Sequence, residues 1–169
     1  MLIGERVKLR PILKSDAVVL NNWKNNYEIF KYLGGGYDPQ SLDDLNNHID
    51  SLIVNSGNNK RFVICLNEKA IGMIGIYGIN QRNGTCELGM YIGETEHWGK
   101  GYGQESLKIL ENLIANNYNL RKIKLLVVSK NVSAVKFYER MNYRHVGKYL
   151  KDRFINGEYE DVSIMEKIL

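Results

Sequence analysis

The order of strand-like and helix-like hydrophobic patterns along the chain constrains its fold more than any other feature. Alternating polar and apolar residues at 6–12 predict a strand, and helical spacing predicts two helices between residues 15 and 53. Further patterns follow in the order strands 61–66, 70–79 and 85–92, helix 103–116, strand 122–128, helix 133–141 and a closing hairpin of 143–150 with 159–168. This order predicts one mixed α/β domain over residues 1–169, with a central sheet of about seven strands and helices on both faces.

Short-range signals predict where some of these elements begin and turn. Ser41 and Asp44 have the spacing of a capping box, which predicts the start of the second helix. Asn83-Gly84 predicts a type I′ hairpin turn, in which both central residues need a positive φ, and Asn156-Gly157 predicts the turn of the closing hairpin. The continuous apolar run at 122–128 predicts a strand that is covered on both faces.

The composition is that of an ordinary folded protein, with 44% hydrophobic and 25% charged residues. The apolar stretches are too short to span a bilayer, and the first residues lack the basic start and apolar run of a signal peptide. A net charge of +4 is compatible with a phosphorylated ligand but too small and dispersed to indicate nucleic-acid binding. We therefore expect a cytoplasmic protein that binds neither a membrane nor nucleic acid.

The cysteines and histidines give no indication of a metal site. Cys65 and Cys86 lie in apolar runs and have no CxxC spacing, so they are predicted to be reduced thiols in the core. The three histidines are scattered along the chain and form no metal-ligand pattern. We expect no bound metal.

A glycine-rich segment between a predicted strand and a predicted helix is the strongest candidate for ligand binding. It reads Trp98-Gly99-Lys100-Gly101-Tyr102-Gly103. Alternating glycines let the backbone fold tightly and bring its N–H groups close to a ligand, and the helix that follows offers further free N–H donors. The spacing fits neither the P-loop nor the dinucleotide-binding fingerprint. The segment therefore predicts a pyrophosphate cradle, with a ligand-free glycine turn as the alternative.

A second segment, Asn131-Val132-Ser133-Ala134-Val135-Lys136-Phe137-Tyr138, follows the next predicted strand. Together the two segments resemble the GNAT superfamily of N-acetyltransferases over roughly residues 60 to 168. The sequences of residues 98–103 and 154–161 resemble one branch of this superfamily. That branch includes spermidine N-acetyltransferases, ribosomal-protein N-terminal acetyltransferases and some amino-sugar N-acetyltransferases. The resemblance implies a GNAT-like fold, acetyl-CoA as the acetyl donor and a primary amine as the acceptor.

Two residues depart from the pattern of the wider superfamily. Trp98 stands where a Gln or Arg that would provide a phosphate contact is usual, a departure that is common in the branch that this chain resembles. Asn142 stands where Gly is usual. Because Asn tolerates the left-handed conformation at a helix end better than other non-glycine residues, this second departure is mild.

The resemblance also implies which residues bind the cofactor. The strand 88–92 would pair with the pantetheine arm, the amides of 99–103 would hold the pyrophosphate, and Asn131, on the loop after the next strand, would bond the pantetheine arm. Phe137 would line the cofactor channel, although a core position is equally compatible with its spacing. The implied cofactor-binding residues are Leu88, Met90, Tyr91, Ile92, Trp98, Gly99, Lys100, Gly101, Tyr102, Gly103, Asn131, Ala134 and Phe137.

Transfer of an acetyl group from a thioester to an amine needs a base, an oxyanion site and an acid. By resemblance, Tyr138 would protonate the departing thiolate, the alternative being a buried tyrosine whose hydroxyl bonds to backbone. Glu87 is the candidate base, if it is partly desolvated in its apolar strand and does not point to solvent. Glu94 and Glu96 are weaker candidates. Because no Ser-His-Asp or Cys-His arrangement is evident, we expect direct transfer in a ternary complex.

The acceptor is less strongly indicated than the donor. Acidic residues between Tyr27 and Asp50 would suit a small cationic amine such as a polyamine, but they fit an exposed helix face equally well. A protein N-terminus and an amino sugar are the other acceptors that the resemblance allows. A non-catalytic acyl-CoA sensor and a plain interaction module are the alternatives of another class, and a homodimer is expected only by analogy.

Overall fold

The computed structural model describes residues 1–54 and 57–169, which form one sheet flanked by helices. The strands are β1 Leu2–Ile3, β2 Val7–Arg10, β3 Lys60–Leu66, β4 Lys69–Asn80, β5 Thr85–Ile92, β6 Lys122–Val128, β7 Arg144–Ile155 and β8 Glu158–Ile168. The helices are α1 Ala17–Lys24, α2 Tyr27–Phe30, α3 Leu42–Ile53, α4 Tyr102–Asn117 and α5 Val132–Arg140. The mixed α/β architecture is confirmed, and the eighth strand is the two-residue β1 that precedes the first predicted strand.

The sheet has the strand order β1-β2-β3-β4-β5-β6-β8-β7. Neighbouring strands are antiparallel, except that β5 and β6 are parallel. A parallel pair needs a crossover connection, and α4 provides it between β5 and β6. The only parallel pairing in the described sheet therefore joins the first residues of β5 to the first residues of β6, which follow the end of α4.

That central parallel pairing is short. β5 and β6 pair at three positions, Thr85–Lys122, Cys86–Ile123 and Glu87–Lys124, and the pairing ends there. Beyond Glu87, β5 remains paired with β4, and β6 remains paired with β8 as far as Val128. The two halves of the sheet therefore separate from Leu88 onward and leave an opening between them.

Helices cover both faces of the sheet, and each face has its own core. In β3, Phe62 and Ile64 belong to the cluster that contains the buried residues of α4 and α5. The intervening Val63 and Cys65 belong to the cluster that contains the buried residues of α1–α3. Because successive side chains of a strand point to opposite faces, this alternation divides the interior into two cores.

Local signals are confirmed at the helix starts and corrected at one turn. Ser41 and Asp44 form the predicted capping box, with the Asp44 amide donating to Ser41 Oγ at 3.0 Å. The predicted type I′ turn at Asn83-Gly84 is wrong: of these two residues only Gly84 has a positive φ, and β4 and β5 are joined by the four residues 81–84.

Two-residue turns with both φ angles positive occur at two other places. They are Asn67-Glu68, between β3 and β4, and Asn156-Gly157, where the closing hairpin was predicted to turn. Asn142 has a φ of 65°, as expected for an Asn that takes the place of Gly at a helix end.

The prediction that β6 is covered on both faces is wrong. Ile123, Leu125, Val127 and Val128 are buried, but Lys124 and Leu126 are exposed. The face that carries Leu126 borders the opening between β5 and β6, so an apolar side chain there remains accessible.

Cys65 and Cys86 are buried free thiols, as predicted. Burial raises the pKa of Cys86 to about 11, so its reactive thiolate form is scarce at neutral pH. Over 1–54 and 57–169, no helix is long and apolar enough to cross a membrane. The same residues contain no group of three or more His, Cys, Asp or Glu side chains that could hold a metal ion.

Candidate active site

A cleft of about 430 Å³ lies where β5 and β6 separate. The residues of β5 and β6 that line it are Glu87, Leu88, Gly89, Met90, Tyr91, Leu126, Val127 and Val128. Asn131, Ala134 and Tyr138 line it from the start and body of α5, and Phe30, Tyr32, Leu33, Gly34, Gly35, Met73, Ile74, Tyr77 and Arg153 complete the wall. The cleft therefore brings together the two predicted catalytic side chains and several of the predicted cofactor-binding residues.

Tyr138 lies in the wall of this cleft with 8% of its surface exposed. Its ring packs edge-on against Phe137 and Tyr143, with centroid distances of 5.1 and 5.7 Å. Its hydroxyl makes no hydrogen bond with any residue that the structure describes, contrary to the alternative of a backbone-bonded tyrosine. Burial raises the pKa of Tyr138 above its ordinary value, so the phenol keeps its proton through the neutral range.

The ring of Tyr138 packs against Tyr143, which belongs to a hydrogen-bonded group with Glu111 and Lys167. The Tyr143 hydroxyl donates to Glu111 Oε1 at 3.0 Å, and Lys167 Nζ donates to Glu111 Oε2 at 2.7 Å. Burial and the adjacent Glu111 carboxylate raise the pKa of Tyr143. Because the polar atoms of this group satisfy one another, Tyr143 is fixed where it contacts Tyr138.

Glu87 lines the same cleft from β5 but is exposed, so the expected partial desolvation is wrong. It lies opposite Tyr77 in the β4–β5 pairing, and residues opposite one another in an antiparallel pair share a face. Tyr91 is on this face as well, because it lies four residues along the same strand. Glu87 is therefore accessible to water at the rim of the cleft.

The segment 98–103 forms a loop that enters α4. Gly99 and Gly101 have φ angles of 72° and 85°, which explains why glycine occupies both positions. The amides of 99–104 donate to no acceptor among the described residues, since the first backbone bond of this turn runs from Glu105 N to the Gly101 carbonyl. These orphan donors at a helix N-terminus fit the phosphate groups of a coenzyme.

Two anchors hold this loop in place. Trp98 donates from Nε1 to the Ile92 carbonyl at 2.8 Å, and so ties the loop to the end of β5. Arg6 donates to the Lys100 carbonyl at 3.1 Å. The indole that replaces the usual Gln or Arg therefore positions the loop, while the Lys100 side chain remains exposed.

The first residues of α4 are tied to β2 by one carboxylate. Glu105 accepts the Arg6 and Val7 amides at 2.7 and 3.1 Å and pairs with Arg6 Nε at 2.9 Å. Although burial alone favours a raised pKa, these hydrogen bonds and the Arg6 charge hold the pKa of Glu105 below its usual range. The N-terminal strand thus fixes the start of the helix that carries the orphan amides.

The predicted residues of α5 divide into two environments. Asn131 caps the helix by accepting the Ala134 amide at 3.4 Å, and both residues line the cleft. Phe137 is partly buried, packs against the core and lies beside Gly103, where a Cβ would be 3.9 Å from its ring. Gly103 is thus a point of close packing between α4 and α5. Whether Phe137 contacts the cofactor remains a prediction.

The acidic residues between Tyr27 and Asp50 do not form a wall of the cleft. Glu28 pairs with Lys31 at 2.7 Å, Asp50 pairs with Lys14 at 3.0 Å, and Asp44 caps α3 through Ser41. Asp38 and Asp43 are exposed and do not line the cleft either. The exposed-face alternative is therefore the correct one within this chain.

Sequence patterns missed Tyr77 and Arg153 as residues of the cleft. The β4–β5 pairing places Tyr77 opposite Glu87. A correct prediction of the four-residue turn at 81–84 would have indicated this pairing. Arg153 lies far along the closing hairpin, and its donation to the Leu33 carbonyl at 2.8 Å joins segments 120 residues apart. Nothing in the local sequence indicates that long-range contact.

A parallel pair that separates, a helix start with free amides and a buried tyrosine together form a cleft in an α/β fold that suits a phosphorylated ligand. Residues 6–144 match the family model described as an acetyltransferase (GNAT) domain. The chain belongs to this family, whose members are acyltransferases.

Similar proteins agree with this family. An uncharacterized N-acetyltransferase p20 of Bacillus licheniformis is 30% identical over 150 residues, covering 86% of this chain and 83% of that protein. The spermidine N(1)-acetyltransferase of Vibrio cholerae is 27% identical over 164 residues, covering 96% and 93%. A crystal structure of spermidine N-acetyltransferase from Vibrio cholerae with CoA and spermine matches with a TM-score of 0.88 at 28% identity, covering 98% of this chain and 96% of that chain.

Proposed function

We propose that this chain is an acetyl-CoA-dependent N-acetyltransferase that acts on a small cationic primary amine such as a polyamine. The observation that carries the proposal is the buried Tyr138, which lines the cleft between β5 and β6 and whose hydroxyl bonds to no described residue. The similarity to spermidine N-acetyltransferases over nearly the whole chain supports the polyamine as acceptor.

The residues of the cofactor side suit a phosphorylated thioester with an amide-bearing arm. The free amides of 99–104 would hold the pyrophosphate, with Lys100 adding a positive charge. The backbone of 88–92 has no strand partner on the β6 side, so it can pair with the amides of the pantetheine arm. Asn131 keeps its amide N–H group available, because its oxygen caps α5. The bound donor supplies the activated acetyl group.

The catalytic side chains would each handle one proton or one charge. An ammonium with a pKa of about 10 must lose a proton before it can attack, and Glu87 would accept that proton directly or through water. A backbone N–H of the 88–92 strand would stabilise the oxyanion as the carbon–nitrogen bond forms. Tyr138 would give its phenolic proton to the sulfur as the carbon–sulfur bond breaks, and the second proton of the amine nitrogen would return to the phenolate through water.

The size of the cleft favours a small acceptor over a protein N-terminus. Its volume of about 430 Å³ is near the lower end of the range for small-molecule sites. The hydrogen bond from Arg153 to the Leu33 carbonyl also links two parts of the cleft wall, the closing hairpin and the 31–36 segment. The side of the cleft that we propose for the acceptor is mainly aromatic. It is lined by the carboxylate of Glu87 and by Phe30, Tyr32, Tyr77 and Tyr91.

The proposal is tested by following thiol release from acetyl-CoA with putrescine, spermidine, spermine, amino sugars and short peptides. The expected result is turnover with the polyamines that is strongly reduced in Tyr138→Phe. Turnover only with peptides or amino sugars would assign the alternative acceptors. Binding of acetyl-CoA without turnover on any amine would assign a sensor.

We also propose a cytoplasmic location and a homodimer for this chain. Two buried cysteines that form no disulfide support the first. For the second, β7 is a 12-residue edge strand with Val146, Leu150 and Phe154 exposed, and long apolar edges are normally covered. Sedimentation equilibrium tests the homodimer, with Leu150→Lys expected to shift the mass toward the monomer.

A further inference from the structure

Arg153 is the one positively charged side chain in the lining of the described cleft. It is half-buried and donates from Nη1 to the Leu33 carbonyl at 2.8 Å, so its guanidinium is held against the 31–36 segment. A guanidinium has five N–H donors, and no other hydrogen bond to a described residue uses them. The cleft therefore contains a fixed cation with most of its donors unengaged.

An irregularity in β7 directs Arg153 toward this position. The β7–β8 register shifts between Tyr149 and Arg153, and Lys151 within the shift has a φ of 50°. The Lys151 amide donates to Asp161 Oδ1 at 3.0 Å, which holds the irregular segment. Because bulges bend a strand and re-aim its side chains, this segment brings the far end of the hairpin over the cleft.

No carboxylate neutralises Arg153 within the described residues. Glu160 lies opposite it in the β7–β8 pairing but is bound by Lys130 at 2.6 Å. The acidic residues of the 27–50 segment are engaged elsewhere or lie outside the cleft. Glu87 is the only carboxylate in the lining, so the cleft has one negative and one positive side chain.

We propose that Arg153 sets the charge selectivity of the acceptor cleft, favouring a diamine over more highly charged polyamines. Glu87 attracts the reacting ammonium, while Arg153 repels any further ammonium that the chain of the acceptor carries toward it. This inference rests on the proposed N-acetyltransferase function. Arg153 would then be a specificity-determining residue. We expect kcat/KM to be higher for a diamine than for a polyamine that carries more charges.

The test compares kcat/KM for putrescine and spermine by thiol release in the wild type, Arg153→Gln and Arg153→Lys. Gln retains a donor for the Leu33 carbonyl but lacks the charge, whereas Lys retains the charge. The spermine-to-putrescine ratio is expected to rise about five- to tenfold in Arg153→Gln and to stay within about twofold in Arg153→Lys. Arg82→Gln, which removes an exposed charge from the 81–84 turn, is the control and should leave the ratio unchanged.

Ionic strength supplies a second measurement, because added salt screens a repulsion between charges but not a steric contact. The wild-type ratio is expected to rise with salt, and the Arg153→Gln ratio to respond less. An unchanged ratio in Arg153→Gln, or equal changes in the Gln and Lys variants, would overturn charge selectivity. Failure of the wild type to release thiol with any amine would instead refute the proposed function, and calorimetric binding of the same two amines would then test the selectivity itself.

Discussion

At the scale of single residues, Tyr138 is the side chain on which the proposed chemistry depends most. Because its hydroxyl bonds to no described residue, Tyr138→Phe removes a proton donor without removing a stabilising contact. We expect kcat to fall about 100-fold or more, with little change in KM and in the melting temperature. Steady-state kinetics and thermal unfolding measure both effects.

Tyr118→Phe is the matched control, since Tyr118 lies at the end of α4 and does not line the cleft. It should retain wild-type kcat. A Tyr138→Phe variant with undiminished kcat would show that another donor, or water, protonates the thiolate.

Gly101 combines a left-handed backbone conformation with a position in the loop that is proposed to bind the coenzyme. Its φ is 85°, and a Cβ there would lie 3.3 Å from Arg6 Nη2. Gly101→Ala is expected to cost about 1–2 kcal/mol of unfolding free energy and to raise KM for acetyl-CoA several-fold. Urea unfolding and steady-state kinetics measure the two quantities.

Gly157 offers a control with the same backbone requirement at a remote site. Its φ is 81°, a Cβ added there would have no described atom within 4 Å, and the residue is at the tip of the closing hairpin. Gly157→Ala should lower stability by a comparable amount and leave KM for acetyl-CoA unchanged. Equal effects of the two variants on KM would argue against coenzyme binding by the loop.

At the scale of elements, the contact between β2 and the start of α4 depends on the ionised form of Glu105. A carboxylate with a depressed pKa stabilises the fold above its ordinary pKa, and this contribution is lost as the pH falls through the folded-state value. Glu105→Gln is expected to cost about 1–2 kcal/mol at neutral pH, since charge-assisted hydrogen bonds to two amides are weakened.

The cost of Glu105→Gln should shrink toward zero in strong acid, where the wild type is protonated too. Urea unfolding of both proteins across the acid range measures this difference. A cost that is independent of pH would mean that packing, and not the charge, accounts for it.

Elements defined by local periodicity were largely predictable from the sequence, and relations between elements were not. β6 and α5 lie within one residue of their predicted bounds, because their apolar residues follow a regular period. The loop before α4 was predictable because positions 99 and 101 have a positive φ, which is a local property that favours glycine. The separation of β5 from β6 and the reach of Arg153 to Leu33 depend on long-range packing, which no local pattern encodes.

At the scale of the whole molecule, two buried tyrosines and one partly buried tyrosine link stability to alkaline pH. Burial raises the pKa values of Tyr91, Tyr138 and Tyr143 above their ordinary value. A group whose folded-state pKa is raised contributes stability that is complete below its unfolded pKa and is lost as the pH rises toward the folded value. Above about pH 10, the free energy of unfolding should fall by about 1.4 kcal/mol per pH unit for each such tyrosine.

Urea unfolding at a series of alkaline pH values measures this slope. Tyr143→Phe is expected to make the slope shallower, because one buried phenol no longer has to ionise on unfolding. A wild-type slope near zero would contradict the raised pKa values of these three tyrosines.

The two separate cores on opposite faces of the sheet have a consequence for how such a protein can change over generations. The residues of α1–α3 pack on one face, whereas the loop and helices that suit the coenzyme pack on the other. Substitutions in the first cluster are therefore expected to change the side proposed for the acceptor without loosening the side proposed for the coenzyme. Selection, natural or in the laboratory, could therefore act on variants of that cluster alone. Such variants could accept a new amine and still use the same acetyl donor.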